Sequence, residues 1–110
     1  MAQRVFEARG LPDDPLDAAA AFHASFGAPV RAALGAGDDL VLVFDPADHA
    51  HAGWRLALVQ DLARSAAPLR VNAVVGGEGA ALDETVAYLA SAPGVTGQVL
   101  MVDAIRATSA

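Results

Sequence analysis

Apolar positions along the chain switch repeatedly between two spacings. Residues 4–8 form a short extended run carrying Val5 and Phe6, closed by Gly10, Leu11 and Pro12. Asp14-Pro15-Leu16-Asp17 then reads as a helix start. Asp14 can accept hydrogen bonds from free amides, Pro15 suits the first helical position, and Asp17 favours the positive end of the helix dipole. Phe22 and Phe26 share one helix face, and Val30 and Leu34 continue the stripe. Gly27 and Pro29 predict a kink or split in this helix, and Gly35 with Gly37 its end.

Leu40-Val41-Leu42-Val43-Phe44 is apolar throughout and too short for a helix between Gly37 and Pro46, which predicts a strand buried on both faces. Trp54, Leu58 and Leu62 recur at helical spacing and predict a helix over 50–66, ended by Pro68. Residues 70–75 read as a third strand and 76–79 as a glycine-rich turn. Leu82, Val86 and Leu89 mark a short helix, with Asp83 and Glu84 near its start. Pro93-Gly94 breaks the chain before a fourth strand over 97–102, and residues beyond Arg106 read as a frayed tail. The order β-α-β-α-β-α-β predicts a parallel four-stranded sheet in a single α/β domain over 1–110, without repeat or linker.

Composition narrows the function classes. Hydrophobic residues make up 55% of the 110, but many are alanines that bury little area each, so the core is modest. No apolar run approaches the roughly 20 residues of a membrane span. The start, Met1-Ala2-Gln3-Arg4, lacks the apolar stretch of a secretory signal. A cytoplasmic protein without membrane contact is expected. Absence of cysteine excludes disulfides, thiolate metal sites and cysteine nucleophiles. Thirteen acids against seven arginines give a net charge of −6, and nucleic-acid phosphates would demand a basic face.

Leu69-Arg70-Val71-Asn72-Ala73-Val74, then Tyr88-Leu89-Ala90-Ser91, then Val95-Thr96-Gly97-Gln98-Val99-Leu100-Met101-Val102-Asp103, resembles the last strands and helix of the short-chain dehydrogenase/reductase (SDR) family. Leu62-Ala63-Arg64 resembles the end of that family's active-site helix. The resemblance is strongest over 61–103. It implies the second half of a Rossmann fold, a half-Rossmann sheet in a truncated SDR-like domain. It further implies NAD(P) chemistry run by a serine at the end of the second strand here, and a Tyr and Lys four residues apart on the next helix.

Those groups are missing. The chain has no lysine, its one tyrosine, Tyr88, lies outside that helix, and Phe44-Asp45-Pro46 stands where the serine belongs. Gly76-Gly77-Glu78-Gly79 follows the third strand instead of opening a first βα unit, so it reads as a plain turn and not a pyrophosphate cradle. Val75-Gly76 replaces the family's Pro-Gly, and the substrate lid is cut to a few residues. The expectation is therefore no catalytic residue, no cofactor-binding residue and no cofactor.

One cluster offers other chemistry. Asp45, Asp48, His49 and His51 follow an apolar strand, where ligands of open α/β sheets bind, and their oxygens and imidazoles suit zinc or another divalent ion. This makes a metal-dependent enzyme one alternative. The plainer reading is a solvated loop with Asp48 capping a helix, since no His-Glu-x-x-His spacing is present. His23 reads as a helix-face residue, Trp54 as packing and Asn72 as a partner for backbone groups. Arg70 reads as the partner of an acid and Asp103 as a local hydrogen-bonding group. Ser25 and Ser91 have no base beside them in sequence.

Strands in the order 1-2-3-4 with right-handed crossovers would put every helix on one face and leave the other bare. A second copy, or an SDR-like protein partner, is expected to cover the exposed apolar surface. The resemblance implies contact through the helices over 18–34 and 50–66 and through the last helix and strand. Phe22, Phe26, Trp54, Leu58 and Val59 are the expected contact residues on the helix pair. The function expected is a non-catalytic SDR-like subunit acting as a homodimer or on a protein partner. A binding protein for a small nucleotide-like ligand is the other alternative.

Overall fold

The computed structural model describes residues 2–102. Its elements are β1 (Gln3–Ala8), α1 (Pro15–Gly35), β2 (Asp39–Phe44), a 3-10 turn (His49–His51), α2 (Ala52–Ala66), β3 (Val71–Val75), α3 (Gly79–Ala90) and β4 (Val99–Met101). All strand pairs are parallel and the order is β1-β2-β3-β4, an α/β half-Rossmann sheet. Asp103 and the tail beyond Arg106 lie outside the described residues.

Local chemistry explains the boundaries. Asp14 caps α1 by accepting from the Asp17 amide at 3.0 Å, with Pro15 in the first turn. The expected break at Pro29 does not occur: α1 runs unbroken through it. Phe22, Val30 and Ala33 bury on the same side and hold both halves of the helix against the sheet. Ser25 and Pro29 are exposed, so water can reach the carbonyl that the proline leaves without its helical donor. All of β2 and β3 is buried, as apolar runs flanked on both faces demand.

Register sorts the strand residues into two layers. Leu40, Leu42, Phe44, Val71, Ala73 and Val75 form one core with Phe22, Val30 and Val59, that is, with α1 and α2. Val41, Val43 and Val74 form a second core with Leu89, against which Leu82, Val86 and Leu100 pack. The expectation of three helices on one face is therefore corrected: α3 covers the opposite face. Because every crossover steps the same way across the sheet, moving α3 to the other face gives β3-α3-β4 the opposite hand to the first two.

The physical reason is an ion pair between a buried carboxylate and a partly exposed guanidinium. Asp39 and Arg70 are paired across β2 and β3 on the α3 side, Nη2 to Oδ2 at 2.8 Å, and Asp39 Oδ1 accepts from the Arg70 amide at 2.8 Å. The same guanidinium donates from Nη1 to the carbonyls of Leu89 at 2.8 Å and Ala92 at 2.7 Å. A helix C-terminus leaves carbonyls unsatisfied and carries partial negative charge, and here a cation meets both needs. Asn72 works one position further along the same face. Its Nδ2 donates to the Val95 carbonyl at 2.9 Å and its Oδ1 accepts from the Gln98 amide at 3.1 Å, fixing the entry to β4. At the other end of β3, Gly76 and Gly77 turn the chain with φ of 78° and 79°. A Cβ on Gly77 would stand 2.7 Å from Val102 Cγ1, so the turn needs glycine for conformation and for space.

Removing one partner of this pair strands the other charge. Arg70→Met is expected to lower stability in urea by about 3 kcal/mol or more. Adding Asp39→Asn to it should recover part of the loss, whereas additive losses would show that the two groups act independently.

Candidate functional site

The carboxyl ends of β1 and β2 meet the start of α2, the usual ligand end of an open α/β sheet. Asp45 follows β2 and Arg9 follows β1. Asp45 Oδ1 accepts from Arg9 Nη1 at 3.0 Å and Oδ2 from the Gly10 amide at 2.8 Å, while Arg9 Nε also reaches Glu7 at 3.0 Å. The Gly10 amide, then Arg9, hold the Asp45 carboxyl below its ordinary range. Glu7 and Asp45 push Arg9 upward in turn.

Behind this half-buried pair lies a buried cation. Arg55, from the first turn of α2, is 6% exposed and donates from Nη1 to the Asp45 carbonyl at 3.1 Å, and its Nε has no partner among the described residues. Its guanidinium lies 4.6 Å from the Phe44 ring centre and 5.7 Å from that of Trp54. Burial lowers its pKa, and the ring faces offset part of the lost hydration. Arg55 lines two cavities. One, of about 420 Å³, is walled by Leu11, Asp13, Asp45, Asp48 and His51. The other, of about 520 Å³, is walled by His49, Leu56, Val75, Val99 and Met101.

The four metal candidates are not brought together. His51 is buried: Trp54 Nε1 donates to its Nδ1 at 3.1 Å, so its proton sits on Nε2, which donates to the Asp13 carbonyl at 2.8 Å. Neither ring nitrogen has a lone pair left for a metal. Asp48 caps the 3-10 turn through the Ala50 amide at 3.0 Å, Asp45 is held by Arg9 and Gly10, and His49 is exposed. Among the described residues no group of three or more acidic or imidazole side chains is placed to hold an ion.

The contact residues on the helix pair divide in two. Phe22 and Val59 are sealed in the chain's own core, so they have no surface to offer a partner. Phe26, Trp54 and Leu58 remain half-buried around that core. Trp54 packs on Phe44 at 5.5 Å and Phe22 at 6.2 Å between ring centres. Outside it runs an open groove of about 930 Å³ between α1 and α2, lined by His23, Leu34, Trp54, Ala57, Leu58 and Leu62 among others. Ser25 is exposed, and Ser91 donates to the Tyr88 carbonyl at 3.1 Å as the cap of α3. Among the described residues no helix is long and apolar enough to cross a membrane.

Sequence reasoning missed Arg9 and Arg55. Arginines flanked by apolar residues read as solvated, and only the Phe44-Asp45 junction beside Trp54-Arg55 hinted at a cation over rings.

The model for short chain dehydrogenase-like proteins matches residues 6–102, most of the chain. The chain belongs to that SDR-like family. No curated protein and no solved structure matches it.

Asp45 has its carboxyl pKa depressed in the folded state, so its contribution is present above the unfolded value of about 4. It is lost as pH falls through the lower native value. Asp45→Asn should cost at most about 1 kcal/mol at neutral pH, because the pair is well solvated, and should shrink the stability difference between neutral and acidic urea titrations. An unchanged pH profile would mean the carboxylate is not held by its neighbours.

Proposed function

We propose that this protein is a non-catalytic SDR-like subunit that acts by associating with a second protein chain, its own copy included, over the α1–α2 face. The observation that carries the reading is the open groove of about 930 Å³ on that face, with Trp54, Leu58 and Leu62 half-buried along it. An apolar side chain left half in water still has burial to gain, at about 25 cal/mol per Å². The residue inventory agrees. Where β2 ends and α2 begins stand Asp45, Pro46, Trp54 and Arg55, none of them a hydroxyl or lysine able to run the family's proton transfer.

A second reading, a binding protein for a small nucleotide-like ligand, draws on Arg55, a buried cation with an unpartnered Nε beside two cavities. Asp13, Asp45 and Asp48 line the smaller cavity with it and oppose a phosphate there. The association reading is preferred for that reason.

Sedimentation velocity at micromolar concentration is expected to give a species heavier than the 11.1 kDa chain. Ala57 is exposed on the groove wall, so Ala57→Glu should weaken assembly without touching the core, where Trp54→Glu would confound the two. A compact monomer in the wild type would sink the association reading. Calorimetry with NADH or NADPH should show no affinity tighter than about 1 mM, and a micromolar constant would overturn the non-catalytic assignment in favour of a ligand site.

A further inference from the structure

We infer that the outer edge of β1 is a second interface, at which two copies of this chain pair their β1 strands antiparallel about a two-fold axis through Val5. The contact is independent of the α1–α2 groove. β1 ends the sheet, with β2 on one side of it. The Asp39 amide donates to the Ala2 carbonyl at 2.9 Å and the Leu40 amide to the Arg70 carbonyl at 2.9 Å, which fixes the alternation. Even-numbered residues of β1 therefore turn their amides and carbonyls toward β2, and Gln3, Val5 and Glu7 turn theirs outward. Such a row is a template for another strand, and natural edges are guarded by proline, charged side chains (lysine above all), bulges or a covering element. Gln3–Ala8 carries Arg4 and Glu7 but no proline and no lysine, and it pairs in register with β2 along its whole length.

The edge is its own complement. Gln3, Val5 and Glu7 are spaced evenly about Val5, so a two-fold axis normal to the sheet pairs Val5 with Val5 of the partner subunit. The same axis sets Gln3 against Glu7 of the partner subunit, twice. Each such pair exchanges two N–H···O bonds, and the axis keeps like faces together. A shift by two residues would leave Gln3 or Glu7 opposite no strand residue, and a shift by one would oppose unlike faces.

The side chains agree with this register. On the α3 face, Gln3, whose Nε2 donates to the Val86 carbonyl at 3.2 Å, would come opposite Glu7 of the partner subunit, whose carboxylate accepts from Arg9 of its own chain at 3.0 Å. Val5 is 43% exposed at the rim of a cavity of about 330 Å³ shared with Val43, Leu82 and Val86, which a second Val5 would help close. On the other face, the Arg4 guanidinium lies 5.3 Å from the Phe6 ring centre, and the partner's Phe6 would come opposite it. Phe6 in turn packs edge-on to the half-buried Phe26 at 6.4 Å. The pairing thus brings apolar groups, Val5 on one face and Phe6 on the other, to a strand pair that also carries Gln3, Arg4 and Glu7.

The register is readable by cysteine scanning of the full chain, which has no cysteine of its own. Opposed residues of a hydrogen-bonded antiparallel pair have Cα atoms about 5.5 Å apart, within disulfide reach. Val5→Cys should cross-link nearly completely to a covalent dimer under mild oxidation. Glu7→Cys alone should not, but an equal mixture of Gln3→Cys and Glu7→Cys chains should. Val5→Pro deletes an outward amide without removing a bond to β2, so it should abolish this pairing in sedimentation while the circular dichroism of the fold persists. If Val5→Cys cross-links no faster than Glu7→Cys, or the Val5→Pro assembly matches the wild type, the edge pairing is wrong. Assembly lost in Ala57→Glu but kept in Val5→Pro would leave the helix-face reading standing and this one refuted.

Discussion

Arg70 is the group on which the two-faced arrangement of this sheet rests. A buried carboxylate and guanidinium lose several kcal/mol of hydration each, and their mutual attraction repays it only when the remaining hydrogen-bonding positions are filled. Asp39 fills its own with the Arg70 backbone amide, and Arg70 fills its own with α3 carbonyls. The pair is therefore satisfied only while β2, β3 and the end of α3 are together. That condition places α3 on the face where Asp39 and Arg70 point, and α3 covers Val41, Val43 and Val74 there. A surface that would otherwise need a partner is closed within the chain.

Most elements were legible because their periods differ: two-sided apolar runs for β2 and β3, and four-residue recurrence for α1 and α2. Capping at Asp14 and the glycine turn at 76–79 were legible because local chemistry decides them. The face taken by α3 was not legible. Apolar strands tell that both sides need cover, not which helix supplies it. The usual right-handed rule then gave the wrong face, because it is a statistical tendency and the Asp39–Arg70–α3 contact spans residues 31 and 19 apart. The unbroken α1 has a similar cause, since packing of Phe22 and Val30 outweighs what Pro29 prefers.

The site was legible only in outline. The carboxyl ends of the strands marked its place, but the histidines that attracted notice serve structure. His51 bridges the Trp54 ring and the loop at Asp13, which orients the start of α2. That in turn sets Arg55 over Phe44. Arg55 escaped notice because a lone arginine between Trp54 and Leu56 gives no sign of burial until β2 and α2 are packed.

The Arg-Val-Asn-Ala motif and the usual ligand end of an open α/β sheet lie at opposite ends of this sheet. Arg70 and Asn72 belong to the motif that carries the resemblance, and both lie toward the amino end of β3. There they satisfy Asp39, the α3 carbonyls and the backbone around Val95 and Gln98. Their roles are complete within the chain and require no substrate or cofactor. Reaction chemistry in open α/β sheets gathers at the carboxyl ends, where this chain has Asp45, Arg9, Arg55 and His51, each engaged with a neighbour. A change of side chain at that end would leave the amino-end clamp untouched. Within this chain the Arg-Val-Asn-Ala strand is held by contacts made in folding, so its resemblance to the family speaks to the scaffold.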